Sequence, residues 1–578
     1  MVLGIVFVAF SNYFAVYTAP LVRQSVDYIK KAIDNNYVAR EVNSTLIYYA
    51  FIITGVALLN GLFMFFMRQT IIVMSRFIEY DLKNEVYEHY QKLDLAFYKR
   101  NNTGDLMNRI SEDVSRVRMY IGPAVMYVVN TLGTLLFTIV FMLRVDVKLS
   151  LYVLLPLPVL AIAIYYVSAA INNKSTLVQE QLSGIFTHAQ EAFSGIRILK
   201  AYSKENFSAQ EFEKKSELFK CQSLSLAKTE ALFQPFMILL IGLSTITTIY
   251  IGGMQAISGK ISIGNIAEFV VYVNRLIWPV ASLGWVTSLI QRAAASQTRI
   301  NEFLDAKPSV VNQNNIPEII HGDIEFRNVS FTYPDSGIQA LNDISFKVKQ
   351  GTSLAIIGKT GSGKSSIAAL LCRLYELNPD TGGEILIDGR EIKNVNLNSL
   401  RRQTGYVPQE AFLFSDSIFN NISFSVSPDT SENNFTKEAV EQAAKDAAIY
   451  NDVVGFPKQF DTVVGERGIT LSGGQKQRVS IARAIIKAPK LLIFDDCLSA
   501  VDIETEQTIL NALQRIMKGR TSVIISHRIS SVKYAHHIIM LEKGKIIEEG
   551  THENLLNKKG NYYELYQLQL SEKKTAAI

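Results

Sequence analysis

The sequence predicts two different structures in one chain: a membrane domain of six helices with long polar extensions, followed by an α/β domain. Every long stretch without charged residues lies before residue 300, and short β-rich runs alternate with helical patterns after residue 322. Of the 578 residues, 48% are hydrophobic and only 19% are charged, against roughly 25% charged residues in soluble domains. This composition excludes a disordered chain and a fibrous one.

Five uncharged stretches reach or exceed the ~20 residues that a helix needs to cross the hydrocarbon layer. These stretches are residues 1–22, 42–67, 119–143, 149–173 and 231–259. A sixth stretch, residues 261–290, is interrupted by Glu268 and Arg275 but is otherwise apolar. Buried helices of soluble proteins rarely have more than ~14 consecutive apolar residues, so we predict six transmembrane helices.

Two long polar segments with helical periodicity separate these helices, one after the second span and one after the fourth. The first polar segment is rich in basic residues: Arg68, Arg76, Lys83, Lys92, Lys99, Arg100, Arg109, Arg116 and Arg118. Most of the short turns on the opposite side of the membrane carry few basic residues, although the loop after the first span also holds four. By the positive-inside rule, the long segments and both termini face the cytoplasm, and we expect a multi-pass protein of the plasma (inner) membrane.

The start of the chain and the region near residue 310 set the expected limits of the domains. Met1 lies directly in the first uncharged stretch, so we do not expect a cleaved signal peptide. Pro308, Pro317 and several asparagines make residues 305–322 a linker. We therefore predict a membrane domain over residues 1–304, a nucleotide-binding domain over 323–567 and a C-terminal tail over 568–578.

Cysteine content and net charge exclude two further classes. Cys221, Cys372 and Cys497 are too few for a disulfide framework, and they lack the paired spacing of a zinc site. The formal charge of +5 is too small to predict a nucleic-acid partner.

A phosphate-binding loop follows the pattern of a buried strand at residues 353–357. The loop and the start of the next helix comprise Gly358, Lys359, Thr360, Gly361, Ser362, Gly363, Lys364, Ser365 and Ser366. This is G-x-x-x-x-G-K-S between a strand and a helix, where backbone N–H groups and the helix dipole face phosphate oxygens. Lys364 is placed to reach the β- and γ-phosphates and Ser365 to bind Mg²⁺, which predicts an ATP-binding P-loop NTPase domain.

A second apolar run, residues 491–494, ends in two carboxylates. Behind a phosphate loop, an acidic residue at the tip of a central strand can bind the magnesium ion, and we assign this role to Asp495. Asp496 would then orient the water that attacks the γ-phosphate.

A serine and two glycines before an amphipathic helix form a second anion-binding helix end. Its residues are Ser472, Gly473, Gly474 and Gln475, after Leu471. One nucleotide does not need two such ends from one domain. We therefore predict that this end contacts the phosphate held by another copy of the domain.

These motifs, in this order, resemble the half-transporter exporters of the ATP-binding cassette (ABC) family over essentially the whole chain. The resemblance implies that Gln409 is a catalytic residue and a Mg²⁺ ligand, and that His527 is the catalytic switch histidine. It also places Asp502, in the D-loop, in the nucleotide site and stacks Tyr333 on adenine. Residues 462–468 resemble the X-loop of exporters.

The membrane half resembles the same family in its long polar segments. Residues 97–105 and 195–200 resemble the loops whose coupling helices dock on the ATPase domains, the second one on the opposite subunit. The resemblance implies a dimer of half-transporters in which ATP closes two cassettes on each other. Stiff helical arms then convert that closure into an outward-facing cavity, and hydrolysis resets the cycle.

Two features depart from the family pattern. Where this chain has Asp496, the family usually has a glutamate as the catalytic base. Aspartate is one methylene shorter, so its carboxylate would lie about 1 Å too far from an in-line water. A misplacement of this size can slow the reaction on the order of 10²-fold. Asp496 together with an intact Leu-Ser-Gly-Gly-Gln motif is typical of the weakly hydrolysing half of a heterodimer, whereas the intact His527 also fits a homodimer. An amphipathic elbow helix usually precedes the first span, and here Met1 already lies in that span.

The transported molecule is less well determined. Aromatic side chains on the predicted spans would suit a cavity for amphipathic drugs or lipids, although they are also common in helix packing: Tyr13, Tyr17, Tyr48, Tyr49, Tyr127, Phe236, Tyr250 and Tyr272. Glu268 and Arg275 lie two helical turns apart on one face, which suits a functional or a structural role. We predict ATP-driven export of hydrophobic compounds, with a lipid (lipid A-type) flippase as the alternative. A nucleotide-gated channel or a regulatory membrane protein is a third hypothesis.

Overall fold

The computed structural model describes residues 1–378, 382–426, 437–465, 471–497 and 503–576. The chain forms two compact units. The first comprises Met1–His89 and Gly104–Asp305, and the second comprises Tyr90–Thr103 and Ala306–Ile578. The second unit thus includes a short segment that interrupts the first unit in sequence.

Up to residue 305 the chain is helical. The helices are α1 (Val2–Asp34), α2 (Ala39–Lys92), α3 (Leu95–Arg100), α4 (Thr103–Val145), α5 (Val147–Leu154), α6 (Pro156–Ser194), α7 (Ile196–Ala201), α8 (Glu205–Ile257) and α9 (Ile263–Leu304). The predicted fourth span is divided between α5 and α6 at Pro156, because proline has no amide hydrogen to continue the helical ladder. The other predicted spans each lie almost entirely within one long helix.

Among the described residues, four helices are long and apolar enough to cross a membrane: α1, α2, α4 and α9. The fourth and fifth predicted spans lie on α5, α6 and α8, where some side chains are outside the description. Within the first unit, α6 pairs with α8, and α1 packs against α4 and α9. Met142, Leu149, Phe269 and Leu276 are fully buried in this helical core.

The second unit contains two sheets. Its strands are β1 (Ile324–Thr332), β2 (Gln339–Val348), β3 (Ser353–Gly358), β4 (Glu384–Ile387), β5 (Arg390–Glu391), β6 (Thr404–Val407), β7 (Leu491–Asp495), β8 (Thr521–Ser526), β9 (His537–Glu542) and β10 (Lys545–Gly550). An antiparallel sheet has the order β2-β1-β4-β5, and a six-stranded sheet has the order β10-β9-β3-β8-β7-β6. In the larger sheet only β10 is antiparallel to its neighbour.

Helices connect and cover these strands. They are α10 (Lys364–Leu371), α11 (Leu397–Gln403), α12 (Ile418–Ser423), α13 (Lys437–Asp446), α14 (Tyr450–Val454), α15 (Gly473–Ile485), α16 (Ile503–Met517), α17 (Ile529–Val532), α18 (His552–Lys558) and α19 (Asn561–Ala576). Every residue of β3 and β7 is buried, as expected for central strands of a parallel sheet with helices on both faces. The predicted α/β fold is confirmed.

Candidate functional site

Four neighbouring parallel strands carry the predicted catalytic residues at their ends. β3, β8, β7 and β6 are consecutive in the sheet, so their carboxyl ends lie along one edge. The phosphate loop follows β3, His527 follows β8, Asp495 ends β7, and Gln409 lies just beyond β6. Residues that are up to 170 positions apart in sequence are thereby brought to one edge of the sheet.

The backbone of the phosphate loop requires two of its glycines. A Cβ atom on Gly358 would lie 2.2 Å from the carbonyl oxygen of Leu541. Gly363 has a φ of +99°, and its Cβ would lie 2.2 Å from the carbonyl oxygen of Ala340. Any side chain at either position would displace backbone, so the loop takes its curved path only with glycine there.

Lys364 at the start of α10 is held by the loop itself. Its Nζ donates hydrogen bonds of 2.8 Å to the carbonyl oxygens of Gly358 and Lys359. Burial lowers the pKa of Lys364, and the carboxylates of Asp496 and Asp495 only partly oppose this effect. The nearby hydroxyl of Ser362 is buried without a hydrogen-bond partner among the described residues. The loop therefore presents a cation and a hydroxyl that phosphate oxygens would satisfy.

Ser365 and Asp495, two of the three residues predicted to bind magnesium, contact each other. The Ser365 hydroxyl donates a 2.8 Å hydrogen bond to Asp495 Oδ1, across from α10 to β7. Burial raises the pKa of Asp495, with a smaller contribution from Asp496 and opposition from Ser365 and Lys364. A hydroxyl and a carboxylate in contact are hard oxygen ligands and fit Mg²⁺, with phosphate and water completing the shell.

Asp496 and His527 contact each other directly. His527 Nδ1 lies 2.9 Å and 3.1 Å from the two carboxylate oxygens of Asp496. Asp496 has a φ of +45°, and its amide donates a 2.8 Å bond to the carbonyl oxygen of Ile525 on β8. The strained turn directs the carboxylate toward the end of the neighbouring strand, so the two predicted catalytic side chains form a pair.

Tyr333 lies next to the helix that follows the phosphate loop. Its hydroxyl is 2.8 Å from the Ser366 hydroxyl on α10. Lys99 Nζ lies 5.0 Å from the centre of the Tyr333 ring, a cation–π distance. The aromatic residue predicted to stack on adenine is therefore near the loop, and a cation from α3 lies over its ring.

Helix α3 overlaps residues 97–105, which resemble the first coupling loop of the family, and it is anchored within the second unit. Ala96 is 2% exposed in the core that contains β1 and β3. Asp94 caps the helix by accepting a 3.0 Å bond from the Phe97 amide, and it also accepts a 2.8 Å bond from the Ser309 amide. Residues 90–103 thus pack with the α/β unit, as the resemblance implies for a coupling segment.

Residues 471–475, the Leu-Ser-Gly-Gly-Gln signature motif, lie at the N-terminus of α15, here called the signature end, and stabilise this helix end. Ser472 and Gln475 form a reciprocal capping box, in which each side chain bonds the backbone amide of the other, at 3.2 Å and 3.0 Å. Ser472 and Gly473 are exposed. The helix contacts α12, α13 and the edge strand β6 rather than β3. No hydrogen bond joins residues 472–475 to the phosphate loop within the described part of the chain.

Three residues that carry no recognised motif hold this region together. Asp452 on α14 accepts 2.8 Å bonds from Gln475 Nε2 and Arg478 Nη1. The buried Gln477 donates a 2.5 Å bond to the carbonyl oxygen of Gln409. No role was assigned to Asp452 or Gln477 from the sequence, because their contacts are created only by the fold.

Some of the expected roles have no contact behind them among the described residues. Gln409 is exposed, and its side-chain amide makes no hydrogen bond to Ser365 or Asp495 among the described residues. Asp502 with the rest of its loop, and residues 466–468 of the predicted X-loop, lie outside the described residues. Their roles remain predictions.

Glu268, one of the two charged residues of the last span, forms a buried network with α1. Glu268 is fully buried, 3.3 Å from Arg23 Nη1, and accepts a 2.8 Å bond from the Tyr272 hydroxyl. Its ion-pair partner is thus Arg23, which lies on another helix. Tyr272 is also fully buried, so it does not line an open cavity as the sequence allowed.

Comparison with known proteins gives a consistent result along the chain. Residues 1–280 match the family model of the ABC transporter transmembrane region, and residues 341–499 match that of the ABC transporter. The chain is 36% identical over 496 residues to the ATP-dependent lipid A-core flippase of Syntrophus aciditrophicus (strain SB), covering 86% of this chain and 81% of that protein.

Two further similarities cover more of the chain. It is 34% identical over 535 residues to the probable multidrug resistance ABC transporter ATP-binding/permease protein YheI of Bacillus subtilis (strain 168), covering 90% of this chain and 89% of that protein. The structure of a bacterial Atm1-family ABC exporter with ATP bound superposes with a TM-score of 0.80 at 26% identity, covering 98% of both chains.

Proposed function

Because the chain belongs to the ABC transporter family and combines the membrane and ATP-hydrolysing parts of an exporter half in one polypeptide, we propose that it exports hydrophobic or amphipathic small molecules across the plasma membrane. It works as a dimer with a second half-transporter. The positive-inside distribution of charge supports cytoplasmic ATPase domains and termini.

The edge formed by β3, β8, β7 and β6 carries the proposal. It brings a lysine and a hydroxyl of the phosphate loop together with two carboxylates and a histidine. Lys364 would neutralise the β- and γ-phosphates, and Ser365, Asp495 and Gln409 would hold Mg²⁺. His527 contacts the γ-phosphate and orients Asp496, which positions the attacking water.

The exposed signature end supports a site completed by the partner. Ser472 and Gly473 face solvent at the N-terminus of α15, where a helix dipole favours an anion. They bind the γ-phosphate that the partner's loop holds, so hydrolysis requires two closed cassettes.

Asp496 supports pairing with a different half-transporter. A carboxylate one methylene shorter than glutamate reaches the water poorly, so this site hydrolyses ATP slowly while its signature end serves a faster site on the partner. The test is ATP turnover of the purified chain. We expect slow turnover that Asp496→Glu raises by about 10- to 100-fold. Brisk wild-type turnover that Asp496→Asn abolishes would instead indicate a competent homodimer, the pairing that His527 also suits.

The short helix α7 joins the long helices α6 and α8, and we call residues 196–202 the arm tip. This arm tip supports mechanical coupling between the subunits. Ile198 and Tyr202 are 65% and 73% exposed at this tip, and exposed apolar residues of this kind mark an interaction surface. Phe412 and Phe414 form an exposed aromatic pair on the α/β unit, beyond the loop of Gln409. We propose that the tip of one subunit docks on this pair of the other. Ile198→Cys should cross-link with Phe414→Cys between chains in a Cys221→Ser background.

Export itself is tested in liposomes that contain the purified transporter. Uptake of a fluorescent amphipathic drug into inside-out vesicles, lost in Lys364→Ala, would support the proposal. A lipid substrate is the second candidate, because one relative is named a lipid A-core flippase. Inversion of a fluorescent lipid without drug uptake would favour it. Ionic current without vectorial uptake of either would favour a nucleotide-gated channel.

A further inference from the structure

The backbone around His527 is held by an amide side chain from the C-terminal helix. Gln569 on α19 donates a 2.7 Å hydrogen bond from Nε2 to the carbonyl oxygen of His527. Its Oε1 accepts a 2.9 Å bond from the amide of Ile529. A carbonyl only accepts and an amide only donates, so the two partners fix the orientation of the Gln569 amide.

The same segment is held from a second side by α16. Glu506 is 6% exposed and accepts bonds of 2.6 Å from Arg528 Nη1 and 2.7 Å from the Ser530 hydroxyl. The side chains of residues 528 and 530 are thus held by α16, and the backbone at 527 and 529 is held by Gln569. This leaves the His527 ring, about half exposed, to contact Asp496.

Packing explains why α19 can act as a support. Tyr562, near its start, is fully buried in a cluster with Ile529 and Val532 of α17. The helix extends from Asn561 to Ala576, so the residues after 567 are its continuation. Gln569 lies about two turns beyond Tyr562, on the face that this anchor turns toward the His527 segment.

We propose that Gln569 is a positioning residue for His527: it fixes the peptide that carries the ring, so that the imidazole keeps its place beside Asp496 and the γ-phosphate. This inference rests on the proposed catalytic role of His527. It also makes the C-terminal helix a part of the ATPase site, which no motif marks.

A double-mutant cycle tests the proposal on the purified full chain in nanodiscs. Turnover of radiolabelled ATP is measured for wild type, Gln569→Ala, His527→Ala and the double variant, with Gln567→Ala as the matched control. Gln567 has the same side chain and is exposed on the same helix. We expect Gln569→Ala to lower kcat about tenfold, the loss of two backbone contacts, with KM for ATP unchanged. Gln567→Ala should match wild type.

The cycle separates a positioning role from a general structural one. If Gln569 acts through His527, the double variant should be no slower than His527→Ala alone. Wild-type turnover in Gln569→Ala, or the same tenfold loss in the His527→Ala background, would overturn the proposal. Unchanged turnover in His527→Ala would instead overturn the proposed role of His527.

Hydrogen exchange tests the clamp, meaning the two hydrogen bonds from Gln569 to the backbone of His527 and Ile529, without relying on turnover. In the nucleotide-free chain, the amide of Ile529 should exchange faster in Gln569→Ala than in Gln567→Ala, because its acceptor is lost. Equal exchange in peptides spanning residues 521–533 would show that the clamp does not hold that backbone, and would overturn the proposal whatever the turnover.

Discussion

The α/β unit contains two helix N-termini suited to anions, and they differ in what surrounds them. At the start of α10, Lys364 bonds two loop carbonyls and Ser365 bonds Asp495, so the side chains that we propose as ligands of the nucleotide and its metal already lie together. At the start of α15, the polar groups are satisfied locally by the capping box of Ser472 and Gln475.

This difference indicates which end binds first. The loop end carries its own cation and the proposed metal ligands, so we expect it to bind ATP alone. The signature end offers exposed backbone and one hydroxyl, too little to hold a nucleotide but enough to close on one that is already bound. Disruption of the first end should therefore abolish binding, and disruption of the second should abolish only the steps after binding.

The largest expected effect is at the loop end. Lys364→Ala should lower ATP turnover on the order of 10³-fold, because the charge that stabilises the transferred phosphoryl group is lost. ATP binding, measured with a fluorescent nucleotide, should weaken in parallel. Lys349→Ala, an exposed lysine of the same unit, serves as control. If Lys364→Ala bound ATP as tightly as wild type, the proposed difference between the loop end, which binds the nucleotide, and the signature end, which closes on it, would be wrong.

Disruption of the signature end should separate binding from hydrolysis. Ser472→Arg should leave ATP affinity within about twofold of wild type while turnover falls on the order of 10²-fold, because a bulky cation blocks closure on the second cassette. Mixed pairs of Ser472→Arg and Lys364→Ala copies should regain roughly half of the turnover, since one of their two sites is intact. No recovery in copies that cross-linking shows to be paired would mean that each chain closes on its own nucleotide.

The sequence predicted the parts of this site that depend on local pattern. The strand–loop–helix context of Gly358–Ser365, the two carboxylates after residues 491–494 and the serine–glycine helix start are short-range signals, and β3, β7 and α15 have the expected form. The alternation of strands and helices also predicted an α/β domain, and the parallel strands of its larger sheet bring His527 and Gln409 to the same edge.

The supporting contacts could not be predicted because they join distant segments through single side chains. Asp452 holds α15 from 23 residues away, and Gln569 reaches His527 from 42 residues away. Neither has a repeating pattern or characteristic spacing. Glu268 illustrates the same limit in the membrane half: the sequence showed only that it shares a helix face with Arg275, and its partner Arg23 on another helix appears only in the tertiary packing.

A smaller effect should come from loosening the signature end without blocking it. Asp452→Asn removes the charge that holds Gln475 and Arg478, so the first turn of α15 should become less well fixed. We expect turnover to fall roughly three- to tenfold with ATP binding unchanged. Asp446→Asn on the neighbouring α13 is the matched control. An equal loss in both variants would show that Asp452 acts only through general stability.

The smallest expected effect distinguishes the two ends by pH. Burial lowers the pKa of Lys364, so its ammonium is lost at a lower pH than that of an ordinary lysine. In the nucleotide-free chain this group disfavours folding at neutral pH, and the penalty disappears as the pH rises from the lowered pKa toward the ordinary value. Bound phosphate favours the ammonium, so ATP affinity should change in the opposite direction and weaken at alkaline pH.

We expect roughly two- to threefold weaker binding of a fluorescent nucleotide as the pH rises from 7 toward 10. Lys364→Arg should abolish this dependence, because a guanidinium stays charged throughout the range. The signature end does not contribute to this pH dependence. Ser472→Arg should therefore show the same change of nucleotide affinity with pH as wild type, because backbone N–H groups and a serine hydroxyl do not titrate between pH 7 and 10. If the affinity of Lys364→Arg still weakened with rising pH, another group would be responsible for the titration. The pH dependence would then not distinguish the loop end from the signature end.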